Sequence, residues 1–433
     1  MTDMCSSSTS FEDLGDEEND SSLANNNLAQ SLLQKFESLP SNLCYDGGDG
    51  DNEETIADIQ SLTSSDISGK ELWIFCDKEF DNQSNSGKSR RKSPLDEQPK
   101  IGSIIRCLLN SDIDGLKKLA RQKFGLLNDS LRLLVWPKLV KADMIETIPR
   151  PDNREMETHP FYTQVVMDVN RSLKRFPPSI EETQRLSMQQ QLIQLIMRVL
   201  IKNPSLYYYQ GYHDICVTFL LILGEEMAFH VVDSISRTHL KQHMEKTMET
   251  TADLMEFILI MVDEEDGQLG DFMYKSGVGT IFALSWVITW FSHIFRDYKT
   301  VGRLFDLFLA DDPMLPIYLS TTIVLYKKDD ILKLDCEMAV VHQYLCSILE
   351  REEDLPIEEL IIQAKELFAK YPPDKLRSLQ KIKPRSIVTK RKEHSALISL
   401  IFAILDKGAK FSFIPITVTM VLCAIVYQQY LSK

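Results

Sequence analysis

From residue 101 onward, apolar positions recur at three- and four-residue steps, a spacing that predicts helices. Ile104, Ile105, Leu108 and Leu109, then Leu116, Leu119 and Phe124, predict a pair of short helices. Between residues 181 and 202, Leu192, Leu195, Ile196, Val199 and Leu200 form one apolar stripe, which Asn203-Pro204 stops. Amphipathic stretches near residues 240–261, 301–308 and 357–371 carry the pattern on to Pro372-Pro373. Strand-like alternation is almost absent, and no internal repeat is present. The expected fold class is therefore all-α, with a helical domain over residues 99–373.

Two runs raise the question of a membrane. Residues 277–295 contain no Asp, Glu, Lys or Arg, which approaches the length needed to cross a bilayer. Gly277, Gly279, Thr280, Ser285, Thr289, Ser292 and His293 interrupt this run, and the amphipathic sequence around it needs a buried partner. It is predicted to be the central buried helix of the domain; the rival reading makes it one arm of a two-pass hairpin. Residues 411–427 follow a linker, 374–395, that carries Lys375, Arg377, Lys381, Lys383, Arg385, Lys390, Arg391 and Lys392. An apolar run near the C-terminus behind a basic flank has the layout of a tail anchor whose basic side stays cytosolic. Its 17 residues suit a thin bilayer such as that of the endoplasmic reticulum. The shorter run 396–405 either lies in the interface or lengthens the anchor.

Charge divides the chain again. The formal net charge is −15, but residues 1–87 alone hold 19 acidic and 3 basic side chains, leaving 44 acids against 45 bases for the rest. Residues 1–98 are rich in Ser, Asn, Asp and Glu and cannot bury enough apolar surface to offset the entropy of ordering, so a disordered acidic tail is expected. Within it, Phe11-Glu12-Asp13-Leu14 has the spacing of a short docking peptide. The cluster Lys88-Ser89-Arg90-Arg91-Lys92 reads as a solvated boundary. A near-neutral body lacks the basic excess of a nucleic-acid binder, so no nucleic-acid partner is expected. The eight cysteines show no C-x-x-C pair and no zinc-ligand spacing, and are expected to be reduced, mostly buried thiols.

Signatures of an enzyme acting on its own substrate are missing: there is no G-x-x-x-x-G-K-[ST] loop, no G-x-S-x-G elbow and no H-E-x-x-H. Any chemistry is therefore expected on a partner. Two constellations stand out. Asp168 and Arg171 stand three apart, on one face if helical, where an ordinary surface ion pair is the plain alternative. Tyr208-Tyr209-Gln210-Gly211-Tyr212-His213-Asp214 follows Asn203-Pro204, and Gly211 there allows close backbone approach. Aromatic density in such a turn is also compatible with simple packing.

Taken in order, Arg132-Leu133-Leu134-Val135-Trp136, then Val165, Asp168 and Arg171, then Tyr208, Gln210 and Gly211, resemble the R-x-x-x-W, I-x-x-D-x-x-R and Y-x-Q-G motifs of the TBC domain, the Rab GTPase-activating module. The chain departs in having Val165 where the family usually has Ile, and Tyr212 where many members have Met. The resemblance spans residues 101–373.

The resemblance implies an activator rather than a hydrolase. Arg171 would be an arginine finger that stabilises charge on the transferring phosphoryl group of a GTP-bound Rab, an effect of about 10³–10⁵ for such fingers. Gln210 would orient the attacking water, Mg and GTP both belonging to the Rab, so that no cofactor of its own is expected. Asp168 would hold the Arg171 guanidinium, and Asp214 would either brace the Gln210 turn or cap a helix. Tyr208 and Tyr209 would contact the Rab or lie beneath the loop, while Arg132 and Trp136 would hold the fold. The implied partner is a Rab of traffic between endoplasmic reticulum and Golgi, the chain sitting in the endoplasmic reticulum membrane or the early Golgi. The alternative is a catalytically silent TBC scaffold that binds a Rab without accelerating hydrolysis.

Overall fold

A computed structural model describes residues 98–142, 148–171, 182–350 and 355–382. The acidic tail, the basic cluster at 88–92, the run 396–405 and the anchor at 411–427 lie outside the described residues. Those described form helices and turns only, in keeping with the all-α expectation.

The predicted pair of short helices is α1 (Gln98–Leu109) and α2 (Ile113–Arg121). Asp112 separates them and caps α2, its carboxylate accepting from the Gly115 amide at 2.8 Å. Ile104, Ile105, Leu108 and Leu116 are buried, whereas Leu109 and Phe124 are exposed. Phe124 falls beyond α2 in a turn with φ 67°, which swings its ring off the stripe. Next come α3 (Asp129–Leu139), α4 (Asn153–Thr158) and α5 (Tyr162–Arg171). The stripe Leu192, Leu195, Ile196, Val199 and Leu200 is fully buried in α6 (Glu182–Lys202). At its end Asn203 donates to the Val199 carbonyl at 2.9 Å and to Asp233 at 2.7 Å, satisfying a terminal carbonyl where Pro204 turns the chain away.

The central helix is not the one expected. It is α7 (Tyr212–Arg237), which packs on α3, α5 and α6 and has its first half wholly buried. It is the one described helix long and apolar enough to cross a bilayer, but 72% of its apolar window lies inside the domain. Gly224, at φ 70° and ψ 168°, kinks it midway.

Residues 277–295 are buried or half-buried but not a continuous helix, which corrects the prediction for that run and leaves no helical arm there for a two-pass hairpin. Gly277 and Gly279 have φ of 68° and 62°, and the run then breaks into a 3₁₀ turn (Ile281–Ala283), a five-residue helix α10 (Leu284–Ile288) and further turns. α9 (Gly267–Ser276) precedes it, and α8 (Glu249–Glu265) precedes α9. Trp290 and Phe291 both have positive φ, of 50° and 64°. Two bulky residues hold that backbone because their rings are locked in place: Trp290 meets Phe305 at 5.2 Å and Phe308 at 5.6 Å, and Phe291 stacks on Phe295 at 5.8 Å.

α11 (Tyr298–Ala310) is buried from Val301 to Ala310, charged residues included. Its Asp306 is fully enclosed and accepts from Arg132 Nε at 3.0 Å, Arg132 Nη2 at 3.1 Å, Trp136 Nε1 at 2.8 Å and the Leu126 amide at 2.9 Å. This cluster ties α3 to α11, so Arg132 and Trp136 hold the fold. Gly302 makes room for it, since a Cβ there would lie 2.8 Å from the Arg132 guanidinium carbon.

α12 (Leu315–Tyr326) packs between α8 and α15 (Ile357–Lys370), with α13 (Lys328–Ile331) and α14 (Met338–Ser347) between them in sequence. The domain does not stop at Pro373. A further helix, α16 (Pro373–Ile382), packs on α8, with Leu376 fully buried and Gln380 donating to the Asp253 carbonyl and the Glu256 carboxylate at 3.2 Å each. The first part of the expected linker therefore belongs to the helical body, its lysines and arginine on the outer side of a helix whose apolar edge is used. Of the four described cysteines only Cys216 is buried and Cys336 is exposed, which corrects the expectation of mostly buried thiols.

Candidate functional site

Arg171 is the last residue of α5, and Asp168, one turn earlier, points into the domain. The Arg171 side chain is 51% exposed and its Nη1 stands 3.7 Å from Asp168 Oδ1, too long for a hydrogen bond. The Asp168 carboxylate therefore lies within ion-pair range of a guanidinium that it does not grip. A pair this open contributes at most about 1 kcal/mol, so the arginine can be given up to a stronger anion.

Asp168 is 4% exposed, and its firm partner is Tyr208, whose hydroxyl donates to Oδ2 at 3.1 Å. Burial pushes the Asp168 carboxyl above its usual range; His213, the Tyr208 hydrogen bond and Arg171 act in the opposite direction. Burial, and then Asp168 itself, push the Tyr208 phenol well above its usual range, so Tyr208 remains a neutral donor. Its one proton is committed to Asp168, so the 3.2 Å contact with His213 Nδ1 has the imidazole donating to the phenol oxygen.

Tyr208 and Tyr209 are both buried beneath the turn. Tyr209 donates to the Ile288 carbonyl at 2.8 Å. Gln210, between this aromatic floor and Gly211, is half-buried. Gly211 has φ 108°, and a Cβ there would come within 2.8 Å of Thr289 Cγ2. The position therefore requires glycine on two grounds, backbone conformation and space.

Asp214 is in the first turn of α7, 1% exposed, with its amide donating to the Gly211 carbonyl at 3.0 Å. Its Oδ2 meets His293 Nδ1 at 2.7 Å, and its Oδ1 is 3.6 Å from His213 Nε2. Its side chain lies behind the turn that carries Gln210. Asp168, Tyr208 and His213 thus form one hydrogen-bonded group at the end of α5, and Asp214 and His293 a second beneath the turn, the two facing each other across the 3.6 Å between His213 Nε2 and Asp214 Oδ1.

The sequence-predicted residues Asp168, Arg171, Tyr208, Gln210, Gly211 and Asp214 are brought together; Arg132 and Trp136 are not, being committed to Asp306. The sequence patterns give no site role to His213, Thr289, His293 or Asp306. Their signal was present in part: a lone acid inside the apolar stretch of α11 must be paired, and His293 is a polar break in an otherwise uncharged run.

The Rab-GTPase-TBC domain family model matches residues 129–332. The chain is 45% identical over 281 residues to the TBC1 domain family member 20 protein of Mus musculus, covering 64% of this chain and 69% of that one. It belongs to the Rab-GTPase-TBC domain family. The GTPase-activating protein gyp10 of Schizosaccharomyces pombe is 30% identical over 249 residues, covering 56% of this chain and 65% of that protein. The solved Ypt/Rab-GAP domain of Gyp1p superimposes with a TM-score of 0.46 at 14% identity, covering 62% of this chain and 98% of that one, too distant a likeness to carry weight. The TBC domain thus spans α3 to α13 and encloses every residue of the site described above.

Proposed function

We propose that this chain accelerates GTP hydrolysis by a Rab-family small GTPase in its GTP-bound state, inserting Arg171 and Gln210 in trans and performing no hydrolysis of its own. A Rab alone is slow because charge builds on the phosphoryl oxygens and the attacking water is poorly held. A half-exposed guanidinium at a helix end supplies a planar set of donors to that charge, and the Gln210 amide can accept from the water while donating to the phosphoryl group. Mg and GTP stay with the Rab, and the activator brings no cofactor.

The observation that carries this reading is the Tyr208 to Asp168 hydrogen bond, because it ties the segment bearing Gln210 to the helix bearing Arg171. Pre-organisation of this kind is what two residues acting on one phosphate require.

The proposed setting is the cytosolic face of the endoplasmic reticulum membrane, with the early Golgi as a second compartment, and a Rab of the early secretory pathway as partner. The apolar run 411–427 behind its basic flank supports a tail anchor in the lipid bilayer.

The test is a panel of GTP-loaded Rabs incubated with the fragment 98–382. Strong acceleration of one Rab, lost in Arg171→Ala and in Gln210→Ala, is the expected result. Tight binding of a Rab with no acceleration would replace this reading with the silent scaffold.

A further inference from the structure

We infer that His293 is a positioning residue for Gln210, acting through Asp214 and the turn that Gly211 closes. The inference rests on the reading of Gln210 as the group that orients water. An ionised carboxylate only accepts hydrogen bonds, so in the 2.7 Å contact the imidazole donates from Nδ1 to Asp214 Oδ2. A charge-assisted bond of this length at a carboxylate that is 1% exposed is among the stronger polar contacts a side chain makes.

What this bond fixes is the register between the finger turn and the 288–293 segment. Three contacts cross that seam. Tyr209 donates to the Ile288 carbonyl at 2.8 Å, the Thr289 methyl fills the space a Cβ at Gly211 would occupy, and His293 holds Asp214. Gln210 sits between the first two, and the Asp214 amide closes the turn onto the Gly211 carbonyl at 3.0 Å. The wall itself is rigid, because Trp290 and Phe291 occupy their positive-φ conformations against the aromatic core, and the His293 amide donates to Thr289 Oγ1 at 3.3 Å. His293 remains 30% exposed, so its imidazole lies at the rim of the site with one nitrogen committed inward. A displacement of about 1 Å at a catalytic group can cost about a hundredfold in rate, so this brace is expected to appear in turnover rather than in affinity.

The test uses the full chain in detergent with the Rab it accelerates, measuring kcat and KM separately. In asparagine the amide nitrogen stands where His Nδ1 stands, one bond from Cγ, whereas glutamine places it further out, near Nε2. His293→Gln is therefore expected to lower kcat about 10- to 100-fold with KM within about twofold, and His293→Asn to restore most of it. In a Gln210→Ala background neither substitution should lower the rate further, since the group being positioned is gone. Thr289→Ser, which removes the methyl against Gly211 and keeps the hydroxyl, offers a second route to the same loosening and should also lower kcat alone. Equal losses in His293→Asn and His293→Gln, a rise in KM in place of a fall in kcat, or a loss that multiplies with Gln210→Ala would each overturn the inference. A wild type that accelerates no Rab would instead overturn the function it rests on, and the inference with it.

Discussion

The Tyr208 hydroxyl reaches across 3.1 Å to the buried carboxylate of Asp168, joining the turn that carries Gln210 to the helix that ends in Arg171. The bond links the two segments through residues other than Arg171 and Gln210 themselves. Tyr208→Phe keeps the ring and its packing and deletes only that bond. Unfolding in urea should show a loss of about 1–3 kcal/mol from the buried acceptor left short of a donor. Rab-stimulated hydrolysis should fall by about tenfold or more, with binding of the GTP-bound Rab little changed.

The Asp306 cluster offers a contrast in which stability rather than turnover should respond. Asp306→Ala leaves the Arg132 guanidinium, 6% exposed, without its main counter-charge. The expected loss is about 3–5 kcal/mol, the range for removing one partner of a buried pair. Lys123→Ala, which deletes an open pair with Glu359 at 3.9 Å, should stay within about 0.5 kcal/mol. Denaturant titration of the two variants beside the wild type measures both.

Acid should loosen the fold through His243. Burial lowers its pKa to about 4, and its Nδ1 is 2.9 Å from the Thr251 hydroxyl. The unfolded chain takes up a proton near pH 6.5 that the folded chain refuses until about pH 4. The stability this group contributes is therefore complete above pH 6.5 and is lost as pH falls through that window, to a total of about 3 kcal/mol. His243→Gln should flatten the pH dependence of unfolding between 6.5 and 4 by about one proton, in melts recorded across that range.

Helix α16 gives a boundary prediction. The fragment 98–372 lacks Leu376, whose side chain is fully buried against the body, and Gln380, which donates to α8. It should be less stable than the fragment 98–382 by about 2 kcal/mol or more, the worth of one buried leucine. Equal melting temperatures would place the edge of the domain before Pro373.

Much of this fold could be read from apolar spacing because α1, α2 and α15 each show a buried stripe on one side. α7 could not, since a helix buried all round has no stripe, and the uncharged run 277–295 drew attention as the central helix in its place. Only the backbone separates the two: Gly277 and Gly279 turn the chain, and Trp290 and Phe291 hold left-handed conformations that composition does not reveal. In the site, Arg171 and Gln210 were legible from motif order, whereas His213 and His293 were not. Their partners, Tyr208 and Asp214, are brought to them by packing across 5 and 79 residues of sequence, respectively.

The most direct test of the account is single-turnover hydrolysis by the responsive Rab with wild type, Arg171→Ala, Gln210→Ala and the double variant. Two residues serving one transition state should be non-additive: each single change is expected to cost about a thousandfold or more, and the double variant hardly more than the worse single. Full activity in either single variant, or losses that multiply in the double, would contradict a joined pair acting on one phosphate.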